Sequence, residues 1–237
     1  MQENRAHREM VTQQSCLTSV VQDRGEMQEN SGLILASRSP RRRELLAHLA
    51  GVDGFEVFAP PNSEELGFED CHDLESIQAR MTEISRGKIA QVRTHAQTSD
   101  SRAVLGADTI VVAQADDGSL VVLGQPPVEG DWKAVVREWF TRYYFQRPHL
   151  VLTSVTLDLG LEVKSKVVRT EVSFREDSKG LVEWYLSTGE SLGKAGGYGI
   201  QGAAGVFIER VEGSLTNVIG LPMFETRELL EEAGLLP

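Results

Sequence analysis

From Gly32 onward the apolar positions fall into short blocks whose spacing alternates between strand-like and helix-like periods. Leu33-Ile34-Leu35-Ala36 is a continuous apolar run of the buried-strand type. Ser39-Pro40 then opens a helix, with serine as cap, proline in the first turn, and Leu45, Leu46 and Leu49 on one face. Phe55–Ala59 reads as a second strand and Leu74–Val92 as a helix. Val104–Ala113 is the strongest strand, followed by another over Leu120–Leu123. Asp131–Phe145 carries a helical pattern, and Val151–Leu157 and Val167–Phe174 read as strands. Leu181–Leu186 is helical with Gly189 just past its end, Val206–Val211 is a strand, and Pro222–Ala233 is a closing helix stopped by Gly234. Strands interleaved with helices predict an α/β fold with a mixed sheet. Residues 1–30 are polar with no sustained apolar period, so they read as a flexible N-terminal extension ahead of a single domain over 31–237.

Composition narrows the function classes. The 237 residues are 41% hydrophobic and 25% charged, enough for a sizeable core without disulfide or metal staples. Cys16 and Cys71 are too few for a disulfide scaffold or a zinc ribbon, which points to a reducing, cytoplasmic setting. No apolar run approaches a membrane span, and the N-terminus lacks a basic segment followed by an apolar one. A formal net charge of -11 disfavours nucleic acid and anionic membranes as partners. A small anion in a local basic pocket remains compatible with it.

Three segments stand out as candidate chemistry. In Ser37-Arg38-Ser39-Pro40-Arg41-Arg42-Arg43 four arginines crowd a strand-to-helix turn of an acidic chain, where cations oppose the helix dipole. Free backbone N–H groups, two hydroxyls and guanidinium forks suit phosphate oxygens. A solvated basic face paired to carboxylates is the alternative. In Gly106-Ala107-Asp108-Thr109-Ile110 a carboxylate interrupts an apolar strand, and the small residues before it leave room for a ligand. Alternation sends Asp108 and Thr109 to opposite faces near the strand start, unless a twist or bulge brings both to one cleft. Such a carboxylate can coordinate Mg²⁺ or orient a water, or equally accept backbone N–H bonds at a strand end.

The third segment, Gly193-Lys194-Ala195-Gly196-Gly197-Tyr198-Gly199-Ile200-Gln201-Gly202, fails two familiar tests. Gly189–Ala195 is one residue short of a P-loop and ends in alanine rather than Ser/Thr. Gly197–Gly202 spells G-x-G-x-x-G but lacks a strand before it and a helix after it. What survives is a loop whose backbone can approach a ligand closely, carrying one cation and one amide. No zinc spacing and no G-x-S-x-G elbow occur, and His149 reads as structural. The aromatic stripe of Trp139, Phe140, Tyr143 and Tyr144 reads as core or interface.

In this order, and with Glu212–Pro222 as a fourth motif, these segments resemble the Maf family of nucleoside triphosphate pyrophosphatases from roughly Gly32 to Pro237. The resemblance implies a two-lobed Maf/ITPase-like α/β fold with a mixed twisted sheet and a central cleft. It also implies a divalent metal (Mg²⁺ or Mn²⁺), a homodimer in many members, and hydrolysis of a nucleoside triphosphate to monophosphate and pyrophosphate. Ser-Pro-Arg-Arg, Gly-Ala-Asp-Thr and Tyr-x-Ile-Gln-Gly look like the branch acting on dTTP and UTP rather than the 7-methyl-GTP branch. By resemblance, Asp108 is the proton acceptor, and Arg41, Thr109 and Gln201 govern substrate choice. Ser37, Arg42, Glu64, Lys88 and Lys194 match other positions expected to line the cleft, where the cations suit the phosphates, and Asp108 and Glu64 are the candidates to hold the metal. Two departures stand out: Gly124-Gln125-Pro126 replaces the family's Gly-Lys-Pro, and Pro127–Pro148 differs from the usual helix and turn. Maf proteins are also linked to septum formation and division arrest, so a nucleotide-binding regulator with little turnover is the second reading.

Overall fold

The computed structural model describes residues 32–49, 54–62, 66–96 and 102–236. The N-terminal extension and Glu64 lie outside the described residues. Among those described, seven strands form one mixed sheet in the order β2-β1-β3-β5-β6-β7, with β4 also paired to β3. The strands are β1 (Leu33–Ala36), β2 (Glu56–Phe58), β3 (Ala103–Gln114), β4 (Leu120–Leu123), β5 (His149–Asp158), β6 (Val163–Phe174) and β7 (Ile208–Glu212). The β1–β2 and β1–β3 pairs are parallel, and all others are antiparallel.

Helices cover both faces, and the alternation along β3 shows which covers which. Its even positions Val104, Ile110 and Val112 pack with Ile77, Met81, Ile89 and Val92 of the long helix α2 (Leu74–His95). Its odd positions Leu105 and Ala107 pack with Leu45 and Leu46 of α1 (Pro40–Ala47). Farther along the odd face, Val111 and Ala113 meet an aromatic cluster. That cluster comes from α3 (Trp132–Trp139), which continues as a π-turn over Phe140–Tyr144, and from α4 (Val182–Ser187). Phe140, Tyr144, Tyr185 and Phe207 are fully buried there, with Phe140 stacked on Tyr185 at 5.3 to 5.4 Å from its Tyr144 and Tyr185 neighbours. The aromatic stripe is therefore core. Two C-terminal helices, α5 (Leu215–Ile219) and α6 (Met223–Glu232), complete the described chain. No helix among the described residues is long and apolar enough to cross a membrane.

The expected strand at Val206 begins later. Ala203–Phe207 is a 3₁₀ helix, and β7 starts at Ile208. The reason is a cap: the Glu190 carboxylate accepts the Ala203 and Ala204 backbone N–H groups, at 2.5 and 3.4 Å, and holds the turn. The short helix α5 has no long apolar period to announce it, and only Ser214 as N-cap marks its start.

One feature of the sheet creates the site. β1 pairs with β3 only as far as Gly106, and β4 pairs with the same side of β3 only from Val111. Between them Ala107–Ile110 has a strand neighbour on the β5 side alone. The notch sits at the carboxyl end of β1, the place where open α/β sheets receive ligands.

Candidate functional site

A cavity of about 1020 Å³ fills this notch. Its walls include the arginine turn after β1, Lys88 of α2, Asp108 and Thr109 of β3, Gln125 after β4, and Lys194, Tyr198 and Gln201 of the glycine-rich loop. Of the residues expected at the cleft, Ser37, Arg41, Arg42, Lys88, Asp108, Thr109, Lys194 and Gln201 all line this one space.

Asp108 and Thr109 do point to opposite faces, as alternation requires, and they lie mid-strand rather than at its start. Both reach the cavity because no strand walls off the notch. On the α2 face, Lys88 Nζ lies 2.6 Å from Asp108 Oδ1, and Asp108 is buried. The contact depends on Gly106. A Cβ there would stand 2.7 Å from Ile89 Cγ1 and 2.9 Å from the Ser85 carbonyl oxygen, so only glycine lets α2 pack this closely. The expectation that Gly106 makes room for a ligand is thereby corrected: it makes room for the helix that brings the lysine.

On the other face Arg42 is held at two points. Its Nη2 donates to Thr109 Oγ1 at 2.9 Å and its Nε to the Gly220 carbonyl at 2.8 Å. The serines of the turn work as caps. Ser39 Oγ accepts from Arg42 N, and the buried Ser37 hydroxyl accepts from Ser39 N at 3.1 Å. Arg38 faces away from the turn and donates to the Pro60 and Pro61 carbonyls, fastening the turn to the segment after β2. Burial holds the Lys194 ammonium below its ordinary value; the Glu190 carboxylate opposes that shift and the nearby Arg41 charge adds to it. Two cations kept together at a cavity wall suit a polyanion that would separate their charges.

The glycine-rich loop is fixed by the aromatic core. Gly196 N–H donates to the Gly124 carbonyl at 2.8 Å, Tyr144 Oη donates to the Gly196 carbonyl at 2.8 Å, and Tyr185 Oη donates to the Gly197 carbonyl at 3.0 Å. Gly196 has φ +67°, and a Cβ on it would meet Tyr144 Oη and Val111 Cγ2 at 2.5 Å. At Gly196 the close approach is thus to the protein's own side chains, while Gly193, Gly199 and Gly202 line the cavity itself. Sequence reasoning had no signal for this tie: Tyr144 lies 52 positions from Gly196 in the chain, and no local pattern pairs Tyr185 with Gly197.

His149 is structural. It is buried against Tyr144, bonded through Nε2 to Tyr198 Oη at 2.8 Å, and burial pushes its pKa down to about 3. Sequence reasoning also missed the hydroxyls behind Thr109. Thr153, its direct partner across β3–β5, and Asn217 are fully buried and bonded to one another.

Comparison with known proteins gives the chain's family. The family described as Maf-like protein matches residues 32–233. A dTTP/UTP pyrophosphatase of Myxococcus xanthus is 40% identical over 205 residues, covering 86% of this chain and 93% of that protein. Those of Shewanella oneidensis, 37% identical over 212 residues, and Dictyoglomus thermophilum, 34% over 202, are covered over 99% and 96% of their lengths and cover 86% and 85% of this chain. With one family match spanning the sheet, the notch and every cation around it, the chain belongs to the Maf-like protein family.

Proposed function

We propose that this chain hydrolyses dTTP and UTP, together with modified pyrimidine triphosphates, to the nucleoside monophosphate and pyrophosphate. The observation that carries this reading is the convergence of one buried carboxylate and four cations (Arg41, Arg42, Lys88 and Lys194) on a single cavity. A triphosphate needs such a set of cations, and its hydrolysis needs a proton acceptor beside them. Relatives named for the same reaction match this chain over 85–86% of its length.

In the proposed reaction a water oxygen bonds to the α-phosphorus while the bond from that phosphorus to the bridging oxygen of the β-phosphate breaks. Pyrophosphate leaves, and the water's proton passes to Asp108. Lys88 orients the Asp108 carboxylate, as their 2.6 Å contact indicates. Arg42, Arg41 and Lys194 meet the phosphate oxygens and the charge that gathers on the leaving group. Gln201, exposed at the cavity wall, offers both a donor and an acceptor to a pyrimidine edge.

The donor set fits a divalent cation that arrives with the triphosphate. Among the described residues no group of three His, Cys, Asp or Glu side chains is placed to hold a metal ion. Magnesium typically takes one or two carboxylates and completes its shell with phosphate oxygens and water. Asp108 would supply one such carboxylate, and Glu64, outside the described residues, is the sequence's candidate for the second. Bound there, the metal would draw charge from the phosphates.

Pyrophosphate release measured across dTTP, UTP, CTP and 7-methyl-GTP, with Mg²⁺ or Mn²⁺ and with chelator, tests the reading. Turnover of dTTP and UTP, abolished by chelator, is expected. Release of orthophosphate, or preference for 7-methyl-GTP, would overturn it. Tight nucleotide binding without turnover would instead support the regulatory reading, which Gln125 at the cavity wall favours by withholding a cation.

A further inference from the structure

The hydroxyl of Thr109 lines the cavity, yet its one proton is directed elsewhere. Thr153 Oγ1 donates to the Asn217 carbonyl at 3.1 Å, which commits the only proton on that hydroxyl. The 3.0 Å contact between Thr109 Oγ1 and Thr153 Oγ1 must therefore be donated by Thr109. Its proton then points away from the cavity, and its oxygen accepts from Arg42 Nη2 at 2.9 Å. Behind this chain Asn217 is fixed in turn, its Nδ2 donating to the Val151 carbonyl and to Thr170 Oγ1, both at 3.0 Å. The same short helix ends at Gly220, whose φ of +123° is open to glycine and whose carbonyl takes Arg42 Nε.

From this one-directional chain we infer that Thr109 and Thr153 are positioning residues for Arg42, so that Thr109 influences substrate through the phosphates rather than by touching the base. The inference rests on the proposed triphosphate site. The two hydroxyls turn Thr109 into a pure acceptor toward Arg42, and a guanidinium gripped at Nη2 and Nε is held in one orientation. An arginine free to rotate would lose part of its binding to entropy before meeting the phosphates.

The test uses the full chain and two readouts: affinity for inorganic triphosphate by calorimetry, and KM and kcat for dTTP. Thr153→Val removes the acceptor for the Thr109 proton without orphaning the Asn217 carbonyl, which also takes the Gly220 N–H at 3.0 Å. Thr153→Val and Thr109→Val should each weaken inorganic triphosphate about five- to tenfold and raise the KM for dTTP by a similar factor, with kcat changed much less. Thr153→Ser, which keeps the hydroxyl, should stay within about twofold of wild type. In an Arg42→Lys background, where the fork is already lost, adding Thr153→Val should change affinity less than about twofold.

An undiminished loss in that background, or equal losses for Thr153→Ser and Thr153→Val, would reduce the pair to a structural role and overturn the inference. So would a Thr109→Val protein that loses dTTP but binds inorganic triphosphate normally, since Thr109 would then read the nucleoside. A wild type that binds no inorganic triphosphate also overturns it. A wild type that binds triphosphate without hydrolysing dTTP speaks only against the hydrolytic reading, because the affinity cycle still decides this one.

Discussion

Lys88 on α2 and Asp108 on β3 meet at 2.6 Å across a helix–strand contact that closes only over a glycine, Gly106, two residues before the aspartate on the same face of the strand. Three positions thus make one device. The glycine sets the distance, the helix carries the cation, and the strand presents the carboxylate at the edge of the notch.

Replacing the carboxylate tests its chemistry. Asp108→Asn keeps the size of the side chain but neither accepts a proton well nor holds a cation strongly. Turnover of dTTP should fall by about 10²–10⁴-fold, the usual worth of a general base, while circular dichroism and thermal unfolding show a folded protein. A purified variant with near-normal turnover would remove Asp108 from its assigned role.

Replacing the glycine tests the spacing. In Gly106→Ala the new methyl meets the Ser85 carbonyl and Ile89, and helix backbone has no easy retreat. The strain should cost about 1–3 kcal/mol. Melting should therefore drop by roughly 2–10 °C, and kcat should fall because Lys88 is carried away from Asp108. Unchanged melting and rate would mean that α2 does not depend on this contact.

Burial of His149 gives stability a pH dependence of known sign. Its folded pKa is about 3, against 6.5 when unfolded, so the unfolded chain binds the proton first. Stability contributed by the neutral ring is present above pH 6.5 and declines as pH falls toward 3. Between pH 6.5 and 5 the loss amounts to about 2 kcal/mol by linkage. Urea unfolding at the two pH values should show it, and His149→Gln, although less stable throughout, should flatten the difference by that amount.

Gln125 tests a missing charge. It lies exposed at the cavity wall, next to Gly124, whose carbonyl receives the Gly196 N–H, so this hairpin stays joined to the site. A lysine there would supply a charge-assisted contact, roughly twice as strong as a neutral one. Gln125→Lys should raise kcat/KM for dTTP several-fold. No gain in a folded variant would show that the neighbouring cations already satisfy the phosphates.

The sequence by itself determined most of the elements and named the candidates for the site. The apolar run of β1, the Ser39-Pro40 helix start and the strand around Asp108 are local patterns, and the structure places them within a residue or so of their expected bounds. Each expected site residue that falls within the described chain lines the same cavity. Three things were decided only in three dimensions. The notch exists because the pairing of β1 with β3 stops at Gly106 and that of β4 starts at Val111, a matter of register that no single strand's sequence carries. The glycines at 106 and 196 turned out to admit a helix and a tyrosine, since a missing Cβ records that something approaches but not what. The partners of Arg42 are separated from it by 67 and 178 positions in the chain. Periodicity reports how a residue relates to its near neighbours, whereas a hydrogen-bond chain through β3, β5 and α5 arises only when the sheet brings distant segments into register.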